Sequence, residues 1–223
     1  MGTVIFDLDG TLANTGGDLV AAANACFRQM GEGDVLDVST DAITAMQKGG
    51  RAMLALGFDR LGRPEEIEAW YPVLLEAYSA DIARHTHFYD GTFEAVEGLR
   101  GQGYRTGICT NKPEALAEQL MREMGARDLF HSLVGADTLP VRKPDPEPLR
   151  EAVARAGGDM ARAVLVGDTT TDRETARAAG VPSLLVTFGP AGHDVAALKP
   201  EAMIDHYDQI GAALDQLGLA PVV

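Results

Sequence analysis

Asp7 and Asp9 stand one residue apart in the stretch FDLDG, at the end of the apolar run Val4-Ile5-Phe6. Two carboxylates this close resist being charged together, so a metal ion or a split into one charged and one protonated acid is needed to keep them there. Gly10 allows the sharp turn that would bring both toward one pocket. Three other stretches carry chemistry that fits this one. Thr110-Asn111-Lys112-Pro113 supplies a hydroxyl, an amide and backbone N–H groups where a helix should begin, which is a ready anion site. Arg142-Lys143-Pro144-Asp145-Pro146 holds two cations beside a rigid turn, and Gly167-Asp168 continues through Thr169-Thr170-Thr171 to Asp172 after the apolar run Val164-Leu165-Val166.

Each stretch alone has a plainer explanation. Thr110 or Asn111 would cap a helix, Arg142 and Lys143 would be solvated, and Asp172 would complement a helix macrodipole. An EF-hand loop at FDLDG lacks the further oxygen ligands and the terminal Glu. Taken together, the four specify acids for a hard divalent cation, donors for a phosphoryl group, and a lysine to spread its charge.

The elements that must position these residues alternate between short apolar runs and amphipathic stretches, the pattern of parallel strands joined by crossover helices. Strands are expected at Thr3 to Leu8, Tyr104 to Thr110, Leu133 to Ala136, Ala163 to Gly167 and Ser183 to Thr187. Helices are expected near Thr92 to Arg100, Pro113 to Met124, Pro146 to Ala156 and Thr171 to Ala179. In such a sheet ligands gather at the carboxyl ends of the strands, which is where all four stretches fall. From about Thr15 to Phe88 the alternation stops. Leu19, Ala22, Ala23, Cys26, Phe27 and Met30, then Ile67, Trp70, Tyr71, Leu74, Leu75, Tyr78 and Ile82, follow the spacing of buried helix faces. The expected fold is therefore α/β, a Rossmann-like three-layer parallel-sheet core (residues 1–14 and 89–223) with an inserted α-helical cap domain (residues 15–88), and Tyr89-Asp90-Gly91 as the return linker.

Acidic residues number 33 against 19 Lys plus Arg, a net charge of -14, which argues against sequence-independent binding to nucleic acid or to an anionic membrane. The two cysteines, Cys26 and Cys109, have no metal-ligand spacing and suit a reducing compartment. With no signal-like start and no membrane-length apolar run, the expected location is cytoplasmic. His85 and His87 have no third ligand nearby in the sequence and are not read as a metal pair.

FDLDGTL, TNKP, RKPDP and GDTTTD resemble the four motifs of the haloacid dehalogenase superfamily of phosphohydrolases, and the insertion after the first motif is similar to its helical type 1 cap. The linking text DLVAAANACF, TNKPEALAEQL and GADTLPVRKPDPEPL resembles the phosphoglycolate phosphatase branch, so the resemblance runs from Val4 to Thr187. It implies Asp7 as nucleophile and Asp9 as general acid and base. Thr110 and Lys143 would complete the catalytic set, and Gly10, Thr11, Thr110, Asn111 and Lys143 would contact phosphate. Mg²⁺ would be held by Asp7, the Asp9 carbonyl oxygen and Asp168, with Asp172 as a ligand through water or an orienting group. The loop Gln47-Lys48-Gly49-Gly50-Arg51 lies where relatives place a loop that closes over substrate, which makes Lys48, Gly50 and Arg51 candidate contacts to the non-phosphate end. Asn14, Thr169 and Arg173 depart from the usual residues without touching the implied set.

The implied activity is Mg²⁺-dependent hydrolysis of a small phosphorylated metabolite, 2-phosphoglycolate foremost, with no nucleic-acid or membrane partner and no oligomeric state specified. A phosphatase for another sugar phosphate or a nucleotide, a β-phosphoglucomutase-like phosphomutase and a non-catalytic phosphometabolite-binding protein stay open. A haloacid dehalogenase proper has no need of the second acid, Asp9.

Overall fold

Thr3–Phe6 (β1) reads TVIF and is buried throughout, as a central parallel strand covered on both faces must be. The computed structural model describes residues 2–63 and 66–219; residues 1, 64, 65 and 220–223, which the expected domain ranges include, lie outside the described residues. The chain divides into two units, Met1–Leu12 with Phe88–Val223, and Ala13–His87. Short strands at Ala13–Asn14 (β2) and His87–Phe88 (β3) pair where the insertion begins and ends.

In the first unit the chain continues through helix α4 (Thr92–Gly101), β4 (Arg105–Cys109), helix α5 (Glu114–Glu123), β5 (Ser132–Val134) and helix α6 (Glu147–Arg155). It then runs through β6 (Ala163–Gly167), helix α7 (Thr170–Ala179), β7 (Ser183–Val186), β8 (Ala202–Ile204) and a last helix, Ile210–Gln216. Six of these strands form one parallel sheet in the order β5-β4-β1-β6-β7-β8. β1 lies between β4 and β6, so successive connections leave it in opposite directions and open a crevice at its carboxyl end.

Alternation along β1 supplies both faces of the sheet. Ile5 packs with Leu149, Ala152 and Val153 of α6 and Ala176 of α7, while the Phe6 ring meets Phe130 at 6.1 Å and Tyr207 at 6.4 Å between centroids. Several strands end sooner than their sequence suggests. β1 stops at Phe6 and β4 at Cys109, leaving Asp7, Leu8 and Thr110 in turns. β8 and the last helix have no counterpart in the sequence reading, because three strand residues and a seven-residue helix sit in turn-rich text.

The second unit is three helices, α1 (Gly16–Gln29), α2 (Val38–Leu61) and α3 (Ile67–Ala80), which completes the expected α/β core with a helical insertion. The Phe27 and Phe58 rings meet edge to face at 5.4 Å, over Gly57, where an added Cβ would lie 2.2 Å from the Phe27 ring. Buried Asp41 takes two 2.8 Å bonds from Arg60. Asp18 accepts the N–H groups of His85 and Thr86 and the Thr86 hydroxyl, tying α1 to the returning chain.

One correction falls here. Gln47 to Arg51 is not a five-residue loop: α2 is two helical stretches joined across a kink at Gly49, whose φ 74° and ψ −175° are non-helical. Gly50 lets α3 approach, since a Cβ there would come 2.7 Å from a Leu74 methyl. The Arg51 guanidinium is paired with Glu68 at 2.9 Å and sits 3.5 Å above the Tyr71 ring centroid. Lys48 is exposed. Among the described residues no helix is long and apolar enough to cross a membrane, and Cys26 and Cys109 are both free and buried.

Candidate active site

Asp7 is the first residue past β1, and its N–H still donates to the Val166 carbonyl at 2.8 Å, which fixes the backbone at the crevice. Its Oδ1 receives the Leu8 N–H at 2.7 Å and lies 3.0 Å from the Lys143 Nζ. The neighbouring strand ends deliver the rest. Thr110 follows β4, with its N–H on the Val134 carbonyl; Asp168 follows β6; Lys143 comes from the connection between β5 and α6, preceding a cis peptide bond to Pro144.

The oxygens of Asp7, Asp168 and Asp172 lie within 4.8 Å of one another, and all three residues are buried. Asp172 has little left to offer a ligand. Its Oδ1 takes the Lys143 ammonium at 2.6 Å, and its Oδ2 takes the Thr169 hydroxyl at 2.6 Å, completing a capping box at the start of α7. Asp168 differs. Its Oδ1 accepts the Thr11 hydroxyl at 2.8 Å, whereas its Oδ2 is buried with no hydrogen-bond partner. An orphaned buried carboxylate oxygen carries a cost that a cation removes, and an all-oxygen donor set suits a hard cation such as Mg²⁺.

Burial pushes the Asp7 carboxyl up to about 7, with Asp172 and Asp9 adding to the rise and Lys143 opposing it. Burial, then the Asp172 and Asp7 charges, likewise hold Asp168 well above its ordinary value. Burial alone would depress the Lys143 ammonium, but Asp172 and Asp7 reverse that and keep it firmly charged. With all three acids ionised the cluster would carry more negative charge than Lys143 offsets, so Asp7 and Asp168 keep their protons to higher pH in the absence of a cation.

Glycines let the backbone close around this cluster. Gly10 has φ +81°, and a Cβ on it would fall 2.5 Å from Asp168 Oδ2. Gly189 was not foreseen: a Cβ there would lie 2.5 Å from the Gly10 carbonyl oxygen. Tyr207, fully buried, donates its hydroxyl to the Thr11 carbonyl at 2.8 Å, a contact made from far along the chain that no local pattern announces.

The structure gives three of the expected residues partners that the sequence did not announce. Thr11, expected to contact phosphate, gives its hydroxyl to Asp168 and its N–H to the Leu8 carbonyl, which orients that acid. The Asn111 amide donates to the Lys143 carbonyl at 3.0 Å, which braces the turn that presents the lysine. The Asp9 carboxylate stands apart from the three-acid cluster and pairs with Lys112 Nζ at 2.9 Å. The sequence reading includes Lys112 only as part of an anion-binding turn; its place two residues after the strand-end hydroxyl of Thr110 is the available signal. Thr110 accepts the Lys112 N–H at 3.1 Å, which sets the turn. His85 and His87 join no metal-binding group among the described residues.

The model of the haloacid dehalogenase-like hydrolases matches residues 4–186, a span that contains all four strand-end stretches. This chain belongs to that family. A phosphoglycolate phosphatase of Mesorhizobium japonicum is 34% identical over 223 residues, covering 95% of this chain and 93% of its own length. Among solved structures, a predicted phosphoglycolate phosphatase from Haemophilus somnus superposes with a TM-score of 0.82 at 23% identity, covering 94% of this chain and 96% of that one. CbbY from Rhodobacter sphaeroides, solved in complex with phosphate, superposes with a TM-score of 0.75 at 22% identity, covering 96% of this chain and 99% of that one. These structural likenesses carry the fold. Within the haloacid dehalogenase-like hydrolases, the chain is a phosphoric monoester hydrolase.

Proposed function

We propose that this hydrolase removes phosphate from a small acidic metabolite, 2-phosphoglycolate foremost, by way of an aspartyl phosphate on Asp7. The observation that carries the reading is the pairing of a buried carboxylate, Asp7, with a buried lysine, Lys143, beside the partnerless Asp168 oxygen. Asp7, Asp168 and the Asp9 carbonyl would hold Mg²⁺, with Asp172 orienting Lys143 and the Asp168 turn. Bound Mg²⁺ would keep Asp7 ionised and draw charge from the phosphoryl oxygens.

The residues then divide the work. Asp7 attacks phosphorus; its oxygen–phosphorus bond forms as the ester bond breaks, and Asp9 gives its proton to the departing alkoxide oxygen. Asp9 next takes a proton from water, whose oxygen attacks the same phosphorus and frees Asp7 and inorganic phosphate. Lys143, Thr110 and the Asn111 N–H offset the charge gathered on the phosphoryl group, and Lys143 does so as a fixed charge that needs no reorganisation. Relatives named phosphoglycolate phosphatase, aligned over nearly the whole chain, support the choice of substrate.

The deciding experiment ranks phosphorylated metabolites by kcat/KM in Mg²⁺. Phosphoglycolate is expected to head the ranking; a sugar phosphate or a nucleotide at its head would overturn the substrate assignment. Acid quenching during turnover should trap phosphate on the wild-type chain and none on Asp7→Asn, and turnover by Asp7→Asn would refute the covalent route.

A further inference from the structure

Lys112 is 6% exposed, a rare setting for a lysine, and its ammonium pairs with the Asp9 carboxylate rather than with the acids around Lys143. The geometry points to Lys112 as the group that selects a leaving alcohol bearing a carboxylate: its ammonium receives that carboxylate while Asp9 protonates the ester oxygen. This inference rests on the phosphoglycolate reading and names the residue through which the core would read that substrate.

Distance comes first. Asp9 must come within about 2.6–3.2 Å of the ester oxygen to protonate it. Lys112 Nζ is 2.9 Å from Asp9 Oδ1, so it lies within about 6 Å of that oxygen when Oδ1 makes both contacts, and within about 8 Å when the other carboxylate oxygen gives the proton. A carboxylate joined to the ester oxygen through a single carbon ends inside that radius, and an ammonium carries three donors in all.

Charge placement separates the two lysines. Lys143 lies between Asp7 and Asp172, on the side of the phosphoryl group. Lys112 lies on the side of the general acid, where the alcohol fragment must leave. A divalent cation at Asp7 and Asp168 would act on the phosphoryl side as well, so a negative charge on the leaving fragment has Lys112 as its nearest buried cation.

The lysine is also held in place before substrate arrives. Its N–H donates to the Thr110 hydroxyl at 3.1 Å, and its carbonyl accepts the Ala136 N–H at 2.9 Å. Both ends of its peptide unit are thereby fixed to strand ends, and burial with the Asp9 contact restrains the side chain before substrate binds. Arg51, the cation expected from sequence to do this task, is held by Glu68 and Tyr71 within the helical unit.

The rival role, that Lys112 only orients Asp9, makes a different forecast. The test compares kcat/KM for 2-phosphoglycolate and for 2-hydroxyethyl phosphate, which lacks the charge, in the Mg²⁺-loaded wild type, Lys112→Met and Lys112→Gln. The wild type is expected to favour the carboxylate on the order of 10- to 100-fold, the span of one charge-assisted hydrogen bond. Both variants should lose most of that preference, Lys112→Gln included, although its amide can still donate to Asp9. A variant that slows on both substrates equally, or an Lys112→Gln enzyme that regains the wild-type preference, would overturn the proposal and leave Lys112 an orienting group. Because Lys112→Gln keeps a donor at the buried position, it serves if Lys112→Met fails to fold. A wild type without the preference would refute the phosphoglycolate assignment instead, a result visible before any variant is made.

Discussion

At the scale of single residues, the site is a set of commitments that leave one fully buried oxygen unspent among the described residues. Asp172 satisfies Lys143 and Thr169, Thr11 satisfies one oxygen of Asp168, and the other Asp168 oxygen is buried without a partner. Thr11→Val keeps the shape of the side chain but releases Asp168 from its only hydroxyl donor. Loss of such an orienting partner typically costs 10- to 100-fold in metal affinity. The Mg²⁺ concentration for half-maximal activity should therefore rise by roughly that factor, and titration calorimetry with Mg²⁺ alone should report the same loss; an unchanged affinity would show Thr11 to be mere packing. The acids were legible in the sequence because FDLDG and GDTTTD place them at the ends of apolar runs. The task of Thr11 was not, because the hydroxyl could face phosphate or carboxylate and only the fold brings Asp168 across to it, 157 residues away.

At the scale of elements, Asp7, Thr110 and Asp168 sit directly after β1, β4 and β6, whereas Lys143 arrives from the longer connection between β5 and α6. The sequence reading carried β1 and β4 beyond their observed ends, since Leu8 and Thr110 suit a strand as well as a turn, yet every motif still fell at the correct strand. It missed β8, the last helix and the Tyr207 contact for a different reason: a three-residue edge strand is too short for its alternation to register. It also read Gln47 to Arg51 as a loop, where Gly49 alone breaks the helical backbone of α2 and Gly50 admits α3. The turn that carries Thr110, Asn111 and Lys112 leads into α5, whose first residue presses on Gly135. An added Cβ at Gly135 would lie 2.4 Å from the Glu114 backbone, so Gly135→Ala must displace the start of α5. We expect a loss of about 1–3 kcal/mol in stability, read by urea unfolding, together with a lower kcat/KM because the TNK turn moves with the helix. Gly98→Ala, inside α4 with nothing within 4 Å of the new methyl, should instead stabilise the chain by about 0.4–1 kcal/mol. The opposite signs at two glycines test the packing directly.

At the scale of the whole molecule, a chain of net charge -14 gathers Asp7, Asp168 and Asp172 in one buried cluster, and this links stability to pH and to metal. Burial raises Asp7 to about 7 from an ordinary value of 3.8, and Asp168 is raised in the same direction. Between about pH 4 and 7 the folded, metal-free chain therefore holds protons that the unfolded chain has released. Stability then falls as pH rises through that window, and the contribution of Asp7 is present in full only below the unfolded value. Mg²⁺ held by the deprotonated acids would stabilise the fold it binds, so its effect should grow as the protons leave. The melting temperature in EDTA should drop from pH 5 to pH 8, and the gap between Mg²⁺ and EDTA should widen by about 5 °C over the same range, each kcal/mol being worth about 2–4 °C at this chain length. General repulsion among surface acids would also lower stability with pH, but it is screened by salt and indifferent to one buried side chain. Melts at fixed ionic strength with Asp7→Asn separate the two causes: without the Asp7 carboxyl the EDTA curve should flatten. A variant whose melting temperature falls as steeply as that of the wild type would assign the pH dependence to the surface instead of the site.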